Sequence, residues 1–99
     1  MNIKDYLKIN VYELFGEKLT IEDAVIMRNQ LLSAIETYNI ICIDFNNIEE
    51  LPNNFYSTLL TNILSYYPKE VIYAKLSFIN VKNISNFKRA YYGTCNLDI

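Results

Sequence analysis

Histidine and tryptophan are absent from this chain, and glycine, proline and cysteine occur only twice each in its 99 residues. Without histidine, the commonest general base and the commonest metal ligand are missing together. Two glycines cannot build a glycine-rich phosphate cradle, and Phe15-Gly16 has no such context. Cys42 lies inside an apolar run and Cys95 in the tail, so a disulfide framework is not expected and a reducing cytoplasm is the natural setting. The apolar runs fall well short of the roughly 18 to 20 residues that cross a bilayer. Residues 1–20 also lack the charged-then-apolar order of a secretion signal. Catalysis would have to rest on carboxylates, lysines or tyrosines, and these form no tight cluster. The absences point away from an enzyme and call for no cofactor or metal.

What remains is a strongly apolar chain. Hydrophobic residues make up 52% and charged residues 20%, a balance that excludes disorder and suits one domain, residues 1–99, with a core of its own. The net charge of −2 is unevenly spread: residues 1–68 hold four basic and nine acidic side chains, residues 69–99 five basic and two acidic. A weak dipole of this kind can orient a partner, but it is no basic stripe of the sort that binds nucleic acid.

The run Ile40-Ile41-Cys42-Ile43-Asp44-Phe45 is too short for a helix and reads as a central strand buried on both faces, over about 40–45. Asn46, Asn47 and Leu51-Pro52 make a tight loop, and Asn53 or Asn54 caps the helix that follows. In that helix Phe55, Leu59, Leu60, Ile63, Leu64 and Tyr67 share one side until Pro68 stops it. Upstream, Leu7, Ile9 and Val11 alternate with polar residues as in a half-buried strand, and Phe15-Gly16-Glu17 turns the chain. Thr20 and Asp23 form a capping box for a helix running to about Tyr38, its stripe interrupted at Arg28. Downstream, Val71–Tyr73 reads as a short helical turn rather than the approach to a strand, and Leu76, Phe78, Ile79 and Val81 as a third strand. Ser85 or Asn83 caps a last helix ended by Gly93, and residues 94–99 either add a fourth strand or hang free. The order β-α-β-α-β-α predicts an α/β fold with helices on a small, mostly parallel or mixed sheet of three to four strands, the first strand parallel or antiparallel.

The succession Phe15-Gly16-Glu17-Lys18-Leu19, a helix, Ile43-Asp44-Phe45-Asn46-Asn47-Ile48, then Asn54-Phe55 and Leu76-Ser77-Phe78-Ile79-Asn80 resembles the STAS-like domains, small relatives of the anti-sigma-factor antagonist fold. The likeness spans roughly residues 7–92. It implies a non-catalytic, regulatory protein–protein interaction module. In the broader fold, a strand ending in aspartate leads to a serine at the next helix N-terminus, which an ATP-binding kinase phosphorylates to control docking. By position that serine falls on Asn54, which cannot accept a phosphoryl group; Ser57 lies further along the helix, flanked by Tyr56 and Thr58. The implied partner is a protein, an ATP-binding kinase-like or anti-sigma-like regulator, met by a monomer or weak homodimer without nucleic acid or membrane.

The candidate partner-binding residues are therefore Asp44, Asn46, Asn47, Asn53, Asn54, Phe55 and Ser57. Each has a plainer reading. Asp44 can simply bond loop amides, and the asparagines can satisfy turns and a cap. Glu49-Glu50 reads as a solvated loop, and one tyrosine of each pair Tyr66-Tyr67 and Tyr91-Tyr92 as core rather than a base-stacking platform. The alternative function is a small nucleotide-binding regulator or enzyme using Asp44 at the carboxyl edge of the sheet.

Overall fold

In a computed structural model, which describes residues 4–93, β1 (Lys4–Asn10) turns Leu7 and Ile9 inward and Tyr6 and Lys8 outward. The fourth strand considered for residues 94–99, and Cys95 with it, lies outside the described residues. Val11 does not extend the strand as its alternation suggests. It opens a five-residue helix, α1 (Val11–Phe15), because the Asn10 side chain accepts a hydrogen bond from the Glu13 N–H at 3.0 Å. Gly16, at φ 86°, ends that helix in a conformation few other residues adopt.

The next helix, α2 (Ile21–Ile35), has its capping box complete: Thr20 and Asp23 each bond the other's backbone N–H. Met27 is fully buried beside Ala24, Leu31, Ala34 and Ile35, so the apolar stripe continues past Arg28. The helix closes at Glu36, short of Tyr38, and Lys75 Nζ donates to the carbonyls of Ile35 (2.6 Å) and Tyr38 (3.0 Å) there. The chain then forms β2 (Tyr38–Asp44), α3 (Phe55–Tyr66), α4 (Lys69–Lys75), β3 (Leu76–Ile79) and α5 (Ile84–Tyr92). The helical turn expected at Val71–Tyr73 is present and extends in both directions as α4. Val81 falls outside β3 because Asn80 adopts a left-handed φ of 55°.

The sheet order is β1-β2-β3 with both pairings parallel, so the fold is α/β with β2 central. Register sets Leu7 beside Ile41 and Leu76, and Ile9 beside Ile43 and Phe78, on one face. The core cluster joins that face to apolar residues of α2, α3, α4 and α5. The opposite face has no helical layer among the described residues: Tyr6, Ile40 and Ile79 are 56%, 39% and 38% exposed. The central strand is nonetheless buried on both faces from Ile41 to Asp44, as its apolar run predicts. On the face without a described helix Cys42 and Asp44 are 6% exposed each, with Asn80 and Lys8 against the Asp44 carboxylate. No helix among the described residues is long and apolar enough to cross a membrane.

Candidate functional site

The carboxyl ends of parallel strands gather their following loops at one edge. Asp44, the last residue of β2, is 6% exposed there. Its Oδ1 accepts from the Asn46 N–H at 2.9 Å and from Asn80 Nδ2 at 2.8 Å, and Lys8 Nζ lies 3.7 Å from Oδ2. The Asn80 bond, then the Asn46 amide, and more weakly the Lys8 ammonium hold the carboxyl below the usual carboxylate range, against the opposing effect of burial. A carboxylate held this way stays ionised and makes a poor proton carrier. It fixes the start of the loop, as Asx side chains do.

From Asp44 the ladder continues one residue, with Phe45 N–H donating to Ile79 carbonyl at 3.0 Å. Asn47, at φ 70°, then reverses the chain, and Ile48 tucks into the core. Glu49 and Glu50 are exposed but not free backbone: both N–H groups donate to the Glu17 carbonyl, and Leu19 N–H donates to the Glu50 carbonyl at 2.9 Å. This pairing locks the loop against the segment before α2.

Asn54 occupies the cap position of α3, but the capping expected of it or Asn53 does not occur. Its backbone sits at φ −98°, ψ 19°, and its side chain makes no cap hydrogen bond. The helix starts through main-chain carbonyls instead: Phe55 N–H donates to Pro52 and Thr58 N–H to Asn54, both at 3.0 Å. Ser57 Oγ also donates to the Asn54 carbonyl at 3.0 Å. The amides of Asn53 and Asn54 are left in solvent. Phe55 points the other way, fully buried with its ring 6.2 Å from Phe45 and 5.8 Å from Tyr56. It has no surface to offer a partner and serves as the plug beneath the bend.

Tyr56 completes the anchoring. It is fully buried against Phe45 and Phe87, and its hydroxyl donates to the Lys82 carbonyl at 2.6 Å, with burial holding its proton on well above the usual phenol range. The loop it grips carries two left-handed asparagines, Asn80 and Asn83. Beyond it, α5 runs beside α3, and the two helices enclose a cleft of about 420 Å³ lined by Asn53, Asn54, Ser57, Thr61, Asn86, Arg89 and Ala90. Asn46 and Asn47 line a separate hollow of about 400 Å³ with Tyr12, Glu17 and Lys82. The candidate residues thus divide: Asn53, Asn54 and Ser57 share the cleft, Asn46 and Asn47 sit on the neighbouring hollow, and Asp44 and Phe55 support both from within.

A family model described as a STAS-like domain of unknown function (DUF4325) matches residues 23–86, from the first turn of α2 into α5. The chain belongs to this STAS-like family. Comparison with curated proteins and with solved structures gives no match.

Among the described residues no group of three or more cysteines, aspartates and glutamates could hold a metal ion, and Cys42 is buried and unbridged. Tyr91 packs edge-on to Phe78 and Tyr73 in the core. Tyr67 donates to the Glu36 carboxylate, which pushes its phenol up to about 12. Only Tyr66 of these two tyrosine pairs stands well into solvent. Asn86 has no distinguishing pattern in the sequence, and Arg89, which reads with Lys88 as a solvent-facing cation of the last helix, is exposed and lines the cleft. The signal was present in topology, since loops after adjacent parallel strands must meet at one edge.

Proposed function

We propose that this STAS-like domain is a non-catalytic interaction module, gripped by a protein partner at the bend before α3 and in the cleft beside it. The observation that supports this reading is the pairing of solvent-facing amides, Asn53 and Asn54, with a rigid aromatic footing, Phe55 and Tyr56, at the mouth of a polar cleft. A pre-anchored surface of this kind loses little conformational entropy on binding. Asn86 and Arg89 on α5 extend the contact, and Asn46 and Asn47 widen it across the loop. Asp44 and Phe55 act as supports.

The resemblance to anti-sigma-factor antagonists makes an ATP-binding kinase-like or anti-sigma-like regulator the partner of choice. With Asn54 at the position of the regulated serine, the grip follows shape and hydrogen bonding rather than a phosphate switch. Ser57 is not a substitute in this reading, because its hydroxyl is committed to the Asn54 carbonyl in the first turn of the helix. The test is quantitative pull-down from native host extract with wild-type and Asn54→Asp baits of matched thermal stability. A partner whose recovery changes with the added charge supports the reading; identical recovery of every protein removes the bend as the docking surface.

A further inference from the structure

We infer that β1 is a self-pairing edge, and that two copies of this chain join antiparallel through it about a two-fold axis at Leu7. The Lys4 N–H donates to the Thr37 carbonyl at 2.8 Å, so the backbone groups of Lys4, Tyr6, Lys8 and Asn10 face β2. Those of Asp5, Leu7 and Ile9 face away, toward an edge that no described strand covers. An unpaired edge of this length is a template for another strand.

The register follows from bond pairing and charge together. With the two-fold at Leu7, Leu7 meets Leu7 and Asp5 meets Ile9, so every outward N–H and carbonyl of the strand finds a partner. Moving the axis to Tyr6 sets Lys4 opposite Lys8 twice. Moving it to Lys8 sets Lys8 opposite Lys8 and strands Asp5. Like charges directly opposite are destabilising, so both shifts add repulsion, and the second also loses bonds. At Leu7 the close, non-hydrogen-bonded positions instead bring Tyr6 of each copy against Lys8 of the other, on the uncovered face of the sheet. Tyr6 is 56% exposed, and the Lys8 ammonium is only loosely engaged by Asp44 at 3.7 Å, so both are available for a cation–π pair that the symmetry makes twice.

On the helical side, the same edge is flanked by a groove of about 400 Å³ between Leu7, Ile9, Leu14 and Gln30. Leu14, and Ile26 one turn before Gln30, are 51% and 47% exposed and gain cover when a second sheet joins. The product is one continuous sheet through both copies, with the bend before α3 left free. The inference therefore does not depend on the proposed docking function.

Sedimentation equilibrium from micromolar to millimolar concentration tests it, on wild-type chain, Tyr6→Lys and Tyr6→Glu, with far-UV circular dichroism confirming the fold of each. Wild type is expected to be a concentration-dependent dimer. Tyr6→Lys, which faces Lys8 of the other copy twice, weakens it about tenfold or more. Tyr6→Glu keeps or tightens the dimer and makes it salt-sensitive. A wild-type chain that stays monomeric to millimolar concentration overturns the inference and leaves the edge to another strand. Equal effects of the two substitutions, or none, overturn the register and with it the β1 interface.

Discussion

Replacing Tyr56 by phenylalanine isolates a hydrogen bond that ties the start of α3 to the loop after β3. The ring contacts with Phe45 and Phe87, at 5.6 and 5.3 Å, survive the change, because only the hydroxyl is lost. What disappears is the 2.6 Å bond to the Lys82 carbonyl. A typical net hydrogen bond contributes about 1 kcal/mol, and an orphaned buried acceptor costs about 1 to 3 kcal/mol. Lys82 is itself exposed, so water can reach its carbonyl and the loss belongs near the lower figure, about 1 kcal/mol. For a domain of this size that lowers Tm by roughly 4 to 8 °C. Urea unfolding should show a lower midpoint with an unchanged slope, since the surface exposed on unfolding is the same. Tyr56→Ala, which also empties a fully buried ring site, should cost about 3 to 5 kcal/mol. If Tyr56→Phe is as stable as wild type, this bond does not hold the two loops together and the rigid footing ascribed to the bend is wrong.

Three other perturbations have defined outcomes. Asp44→Asn should destabilise the fold by about 1 kcal/mol at neutral pH, because charge-assisted bonds weaken. Since the native carboxyl titrates below its ordinary range, wild-type stability from this group is present above that range and is lost as pH falls through the native value. The gap between wild type and Asp44→Asn, measured by urea unfolding, should therefore narrow below about pH 4. Lys75→Met should cost roughly 1 to 2 kcal/mol by thermal unfolding, as it strips the donor from the Ile35 and Tyr38 carbonyls at the end of α2. Gly16→Ala should cost about 1 to 3 kcal/mol although nothing crowds its Cβ position, because φ 86° with ψ −172° is a backbone region nearly closed to other residues. Gly93→Ala, at φ 87° and ψ −3°, should cost less, about 1 kcal/mol.

Periodicity and capping chemistry were enough to read β2, α2 and the stops at Pro68 and Gly93. The pieces that escaped have physical causes. Alternation ran through Val11 without interruption, so α1 was hidden inside an apparent strand. Asn10 followed three residues later by Glu13 is nonetheless the same start signal as Thr20 and Asp23, and the structure uses it. The uncovered face of the sheet was invisible because Ile40 and Cys42 are as apolar as Ile41 and Ile43. Composition cannot separate a face covered by helices from one without them. At the site, the asparagines were legible as bend residues, but side-chain capping was not what started the helix: the Pro52 carbonyl accepts the first amide instead. Phe55 reads from the sequence both as a contact residue and as part of the apolar side of its helix, and the second place is the one it takes, fully buried. Asn80, Asn86 and Arg89 needed three-dimensional neighbours to be placed, since all three follow β3 whereas Asp44 and the Asn53–Asn54 bend they adjoin belong to the connection after β2.

Photo-crosslinking from position 54 probes the docking bend most directly. A benzoylphenylalanine placed there, and one at exposed Ser65 near the far end of α3 as a control, are irradiated in native host extract and their adducts identified. One protein joined at position 54 and absent at position 65, and competed by excess wild-type chain, is the expected result. Adducts that are the same at both positions, or indifferent to the competitor, would contradict a partner seated at this bend.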